Sequence, residues 1–120
     1  MSHAKPIVLV AILVSLWSLT IRAQDVSGAW QFEVELAVGA GSPTFVFVQD
    51  GNVLSGTYEG TFGEADVSGT IPGDQIEFWF EVQGTKATYT GTVNGDTITG
   101  TCDYGGLGSG EWQAEKSEAN

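Results

Sequence analysis

The chain has 120 residues, of which fifteen are acidic and four are basic, giving a formal net charge of −11. A chain of this length can bury one hydrophobic core. Its negative charge repels nucleic acids and anionic membrane surfaces, so we expect neither as a partner.

The first 23 residues have the pattern of a secretory signal peptide. Lys5 supplies a basic start, an apolar run follows from Ile7 to Leu19, and Ala23 is the small residue that a cleavage site needs. A membrane anchor is the alternative, but it requires ~20 apolar residues, and the run from 7 to 21 is shorter and interrupted by polar residues. We therefore predict cleavage after Ala23 and a secreted or periplasmic protein.

Cleavage would remove every histidine and arginine of the chain, His3 and Arg22. Lys86 and Lys116 then remain against fifteen acids, a formal net charge of −13. Without histidine the mature chain cannot form a Ser-His-Asp or Cys-His arrangement or an imidazole metal site. Without arginine it lacks the usual fork for phosphate or carboxylate groups. Cys102 is the single cysteine, so no intrachain disulfide can form.

Apolar and polar residues alternate along the mature chain with the period of two that is typical of strands. The alternation predicts eight strands, and no segment predicts a helix. Residues 24–114 form the predicted barrel domain, and residues 115–120 are predicted to be a disordered polar tail. The residues predicted to face inward are Trp30, Phe32, Val34, Leu36 and Val38; Phe45 and Phe47; Leu54, Gly56 and Tyr58; Val67, Gly69 and Ile71; Ile76, Phe78, Phe80 and Val82; Ala87, Tyr89, Gly91 and Val93; Ile98, Gly100, Cys102 and Tyr104; Gly110, Trp112 and Ala114.

Three turn signals recur at a spacing of 22 residues: Asp50-Gly51-Asn52, Pro72-Gly73-Asp74 and Asn94-Gly95-Asp96. They predict tight hairpin turns at one end of the fold, together with both termini. Longer glycine-rich connections are predicted at the opposite end, over residues 39–43, 60–64, 83–85 and 105–108. Loops at one end of a rigid barrel commonly carry binding residues, so we expect any binding there.

The eight consecutive strands predict an antiparallel up-and-down meander closed into a small barrel, with a two-sheet β-sandwich as the alternative. Inward glycines favour the barrel, because a missing side chain permits strong coiling and lets a ring lie over bare backbone. These glycines are Gly56, Gly69, Gly91, Gly100 and Gly110. An eight-stranded barrel has room for side chains or for one small ligand.

Two short motifs carry a family resemblance. Gly28-Ala29-Trp30, at the start of the first strand, and Gly56-Thr57-Tyr58 resemble motifs of the calycin group, the lipocalin and avidin families. The resemblance implies a barrel that binds a small molecule inside. Gln31 and Phe32 stand where avidins place polar ligand contacts, so biotin is not the expected ligand.

A longer resemblance covers residues 44–58, 89–96 and 105–110. These segments are similar to a family of small exported bacterial domains that are sometimes fused or adjacent to amidohydrolases. This resemblance implies export and fold, and it implies no mechanism.

Two functions remain open. The first is a binding module for a small apolar or amphipathic molecule. Its candidate site residues are Trp30, Phe45, Tyr58, Phe62, Tyr89, Tyr104, Leu107 and Trp112. The second is a structural, self-assembling or interaction protein with a filled core, such as an accessory domain of an exported enzyme that binds a protein partner. Outward Trp79 and a second strand that is apolar on both faces favour it.

Catalysis is not expected. Two carboxylates can hydrolyse a glycosidic bond, but the candidate acids Glu33, Glu35, Glu77 and Glu81 all face solvent in the predicted strands. The Asp and Asn residues near the three turns are explained by turn chemistry and not by calcium binding. Cys102 reads as a small buried residue and not as a nucleophile. We therefore predict no catalytic residue, no metal and no cofactor.

Overall fold

The computed structural model describes residues 25–117. The predicted signal peptide, residues 1–23, and the last three residues of the predicted tail lie outside the described residues. Within 25–117 the chain forms nine strands and one three-residue 3-10 turn, Gly105–Leu107. The strands are β1 (Gly28–Leu36), β2 (Gly39–Gly41), β3 (Thr44–Asp50), β4 (Val53–Gly60), β5 (Gly63–Thr70), β6 (Gln75–Val82), β7 (Thr85–Asn94), β8 (Thr97–Asp103) and β9 (Ser109–Lys116).

The strands form one closed antiparallel barrel, as predicted. Each of β3 to β8 pairs with the next strand in sequence, and β9 returns to pair with β1 from Trp30↔Lys116 to Leu36↔Gly110. The alternative sandwich is excluded, because the β1–β9 pairing joins the two ends of a single sheet. The shortest pairing is β5–β6, which has three residue pairs.

The last strand is longer than predicted. Glu115 and Lys116, assigned to the disordered tail by the sequence, belong to β9. Glu115 pairs with Gln31, and the Lys116 amide donates to the Asp96 carbonyl at 2.9 Å. The closing pairing with β1 explains the difference, because it supplies backbone partners that the polar sequence does not reveal.

The predicted break over residues 39–43 is wrong. β2 and β3 both pair with β1 in a single register, since Val34↔Gly41 and Gln31↔Thr44 fall on the same series of antiparallel pairs. They are therefore two parts of one strand. Pro43 separates them because it has no amide to donate, although its carbonyl still accepts the Phe32 amide at 3.0 Å.

The β1–β2 hairpin turns earlier than the sequence predicted. Leu36 pairs with Gly39, which leaves Ala37 and Val38 as a two-residue turn. Val38, predicted to face inward, is 66% exposed for this reason.

The connections at this end, here called the mouth end, are also shorter than predicted. Residues 60–64 and 83–85 were expected to form loops, but Gly60 pairs with Gly63 and Val82 pairs with Thr85. Each pair encloses a two-residue turn. Gln83 takes a φ of 53° in the second turn, which a residue other than glycine adopts only rarely. The segment between β8 and β9, residues 104–108, is the one longer connection found at the mouth end among the described residues.

The barrel interior is filled with aromatic rings. Phe32 stacks on Trp112 with ring centroids 4.8 Å apart, and Phe78 stacks on Tyr89 at 4.9 Å. The predicted role of the inward glycines is confirmed at Gly91, where an added Cβ would lie 2.8 Å from the Trp112 ring. The rings fill the barrel axis, and a partly open cavity lies at the mouth end.

Candidate ligand site at the mouth of the barrel

The eight predicted site residues divide into two groups. Four of them belong to the buried core and do not line the mouth cavity: Trp30, Phe45, Tyr89 and Trp112. Three line a cavity at the mouth end: Tyr58, Phe62 and Tyr104. Leu107 is half-buried, packs against the core from the 3-10 turn, and does not line this cavity. The structure thus brings together only the mouth-end part of the predicted set.

The cavity, here called the mouth cavity, has a volume of about 180 Å³. Of the described residues that line it, none is charged. An apolar cavity of ~150 Å³ accepts a benzene molecule, so this volume accommodates one six-membered ring. The lining residues are Val34, Leu36, Val38, Gly39, Ala40, Gly41, Pro43, Tyr58, Thr61, Phe62 and Tyr104.

Small residues on the β1–β2 hairpin leave this space open. A Cβ on Gly39 would meet no atom within 4 Å, and a Cβ on Gly41 would meet only the Thr61 hydroxyl oxygen, at 3.5 Å. Pro43, which follows on the same strand, and the Thr61-Phe62 turn complete this part of the lining. Residues 39–43 were predicted as a loop at the mouth end, so none of them was among the predicted site residues; the signal for the hairpin wall was the absence of large side chains in Gly39-Ala40-Gly41.

The three tyrosines of the described chain are buried, and two of them, Tyr58 and Tyr104, line the mouth cavity. The Tyr89 and Tyr104 hydroxyl oxygens are 2.5 Å apart and form a buried hydrogen bond. The Phe62 amide donates to the Tyr58 hydroxyl at 3.4 Å. Tyr58 also stacks on Phe80, with centroids 4.3 Å apart, which fixes the direction of its ring. Rigid rings therefore hold the hydroxyl groups in place.

These hydroxyl groups are neutral at physiological pH. Burial raises the pKa of Tyr58, and burial followed by the adjacent Tyr104 raises the pKa of Tyr89. Burial also raises the pKa of Tyr104. The same cause raises the pKa of the Cys102 thiol to about 11, so the thiolate that a nucleophile needs is scarce at neutral pH.

The outer face of the barrel carries the acidic groups. Glu33, Glu35, Glu77 and Glu81 are all exposed. Glu33, Glu35 and Glu111 flank an open polar groove of about 500 Å³ across β8, β9 and β1. Within residues 25–117, no group of three or more His, Cys, Asp or Glu side chains is arranged to hold a metal ion. The groove is larger than the mouth cavity but open to solvent, so it encloses no ligand.

The outer face also exposes apolar side chains. Val46, Val48 and Val53 are 43%, 56% and 61% exposed on the adjacent strands β3 and β4. Trp79 on β6 is 37% exposed, with the Lys86 ammonium 5.3 Å from its ring centroid. These residues are separate from the mouth cavity.

Comparison of the chain with protein-family models and with curated proteins finds no match. In the part of the chain that the structure describes, no helix is long and apolar enough to cross a membrane.

Proposed function

We propose that this protein is a secreted, non-catalytic binding module that holds a small, neutral, mainly apolar molecule in the mouth cavity. The observation that carries the proposal is an uncharged cavity of about 180 Å³ beside a barrel interior that is already filled with rings. Ligand sites are typically concave, mostly apolar and equipped with a few polar groups. The mouth cavity has these properties.

The uncharged lining supports binding without catalysis. The described residues around the cavity include no carboxylate, imidazole or thiol that could act as a base or nucleophile. The tyrosine hydroxyl groups next to it have raised pKa values, which makes them weak proton donors in a chemical step. A group that only donates a hydrogen bond can position a ligand without transforming it.

The proposal retains a calycin-type relationship. It is supported by the closed eight-stranded barrel and by Trp30, which follows Gly28 and Ala29 at the start of β1 and is fully buried. The proposed site differs from the one implied by that resemblance, because the ligand would lie at the mouth and not along the barrel axis.

The test is a titration of the ¹⁵N-labelled protein, residues 24–120, with methylenecyclohexane, monitored by amide chemical shifts. We expect saturable shifts at the amides of Leu36, Gly41 and Phe62. Gly41→Leu is designed to fill the cavity, since a Cβ there makes only an ordinary contact. Saturable shifts should disappear in this variant.

Gly106→Leu is the matched control. Gly106 is also at the mouth end, and a Cβ there would meet no atom within 4 Å. It does not line the cavity, so the variant should bind as the wild type does. Absence of binding in the wild-type protein, or unchanged binding in Gly41→Leu, would overturn the proposed site.

A second candidate function rests on the exposed valines of β3 and β4. Val48 and Val53 are diagonal neighbours on the outer face, because Val48 pairs with Ser55 and Asp50 pairs with Val53. Together with Val46 they present an apolar face to a second copy or to a protein partner. Sedimentation at increasing concentration tests self-association: a mass that rises, and that Val48→Lys returns to the monomer, supports it, whereas a strict monomer contradicts it.

A further inference from the structure

The mouth cavity is apolar in its walls but contains buried hydroxyl groups with unused hydrogen-bonding capacity. Tyr58 and Tyr104 both line it, and each is only 2% exposed. Each tyrosine hydroxyl has one proton to donate and an oxygen that can accept. The partners of these two groups therefore indicate what else the cavity can bind.

The Tyr58 hydroxyl accepts a hydrogen bond but does not donate one to a described residue. Its oxygen receives the Phe62 amide, and no atom within residues 25–117 accepts its proton. A Cβ on Gly60 would lie 2.7 Å from this oxygen, so the hydroxyl packs closely over the bare backbone of Gly60, which holds it in position. The donor belongs to a buried, rigidly held residue that lines the mouth cavity.

The Tyr89–Tyr104 pair also has a hydroxyl proton without an acceptor among the described residues. The two hydroxyl groups have two protons, but the hydrogen bond between them uses only one. No other described residue accepts the second proton. When Tyr104 accepts from Tyr89, its own proton has no acceptor among the described residues, and Tyr104 lines the cavity.

Buried donors without an acceptor destabilise a protein, so an acceptor at this position would be favourable. A negatively charged acceptor does not fit. No described lining residue is cationic, and the fifteen acids of the chain repel anions. The complementary group is an uncharged oxygen acceptor attached to a small apolar body.

We propose that the ligand class of the mouth cavity is a small neutral carbonyl or ether compound whose oxygen accepts hydrogen bonds from Tyr58 and Tyr104. This inference rests on the proposed function, because it assigns the chemistry of the same site. It adds a specificity that the apolar walls alone do not provide: selection between molecules of equal shape that differ in one acceptor oxygen.

The test compares cyclohexanone with methylenecyclohexane, which have nearly the same shape but differ by one acceptor oxygen. Dissociation constants are measured by NMR titration for wild type, Tyr58→Phe and Tyr104→Phe, with thermal midpoints to verify folding. The readout is the Kd of the ketone divided by the Kd of the hydrocarbon, because this ratio cancels changes in cavity shape. We expect each variant to raise the ratio about three- to tenfold, the effect of one lost neutral hydrogen bond.

Thr61→Val is the matched control. It removes an exposed hydroxyl from the same lining with little change of shape, and we expect the ratio to stay within twofold of wild type. An unchanged ratio in both tyrosine variants means that water satisfies the hydroxyl groups, which overturns the inference but leaves apolar binding intact. If neither compound binds to the wild type, the proposed function fails together with the inference.

Discussion

Gly91 on β7 lies directly beneath the indole ring of Trp112 on β9. A Cβ on Gly91 would come within 2.8 Å of the ring and within 2.6 Å of the Thr99 carbonyl oxygen. The indole nitrogen of Trp112 donates to the Thr101 carbonyl at 2.8 Å, so the ring cannot move away without losing that bond. The close approach thus depends on the missing side chain.

Gly91→Ala should lower the free energy of unfolding by about 1–3 kcal/mol, because overpacking forces the ring or backbone to shift. Urea denaturation measures the change. Gly106→Ala is the control, since a Cβ there would meet no atom within 4 Å, and it should change the free energy by less than about 0.5 kcal/mol. Equal effects of the two substitutions would contradict the packing described for Trp112.

Two tryptophans on opposite faces of the barrel should respond differently to truncation. Trp30 is fully buried, and its indole nitrogen donates to the Val26 carbonyl at 2.9 Å. Trp30→Ala should therefore cost about 3–5 kcal/mol. Trp79→Ala should cost less than about 1 kcal/mol, the value of an exposed ring with a cation above it. The measurement is the urea midpoint of each variant, and a similar loss in both would show that the assigned faces are wrong.

Stability should fall at alkaline pH because of the buried tyrosines. The pKa values of Tyr89 and Tyr104 are raised in the folded state above the ordinary value of 10.0. The folded protein therefore retains these protons where the unfolded chain releases them, so the contribution of these two tyrosines to stability is complete below about pH 10 and decreases as the pH rises above it. Cys102, with a pKa raised from 9.0 to about 11, adds a decrease that begins near pH 9.

Thermal midpoints between pH 8 and 11 measure this effect. The double variant Tyr89→Phe/Tyr104→Phe replaces both hydroxyl groups, so no donor of the pair is left alone, and its midpoint should decrease less steeply than that of the wild type above pH 10. A decrease of equal slope in the two proteins would show that these tyrosines do not cause the alkaline loss.

The sequence predicted the barrel because alternation and inward glycines are local signals that agree with each other. It did not predict that β2 and β3 form one strand, because Gly39, Gly41 and Pro43 are typical of loops and the constant register depends on β1. A connection over residues 60–64 was predicted, but not the tight Thr61-Phe62 turn within it, because this turn contains none of the usual turn residues. The positive φ of Gln83 was not predicted, because a residue other than glycine adopts it only rarely.

The candidate site was only partly predictable. The aromatic residues were recognised as inward, but the sequence could not distinguish rings that fill the axis from rings beside an open space. That distinction depends on which side chains are absent from a neighbouring strand. In this protein the absent side chains are those of Gly39 and Gly41, in a segment that the sequence predicts as a loop and that forms the second strand of a hairpin.

The proposed ligand site is the mouth cavity, and not the barrel axis or the outer face. Intermolecular NOEs between cyclohexanone and the ¹³C-labelled protein locate the bound molecule. We expect NOEs to the side chains of Leu36, Pro43 and Phe62, all of which line the cavity. NOEs confined to Val46 and Val48, or no intermolecular NOEs at a saturating concentration, would contradict it.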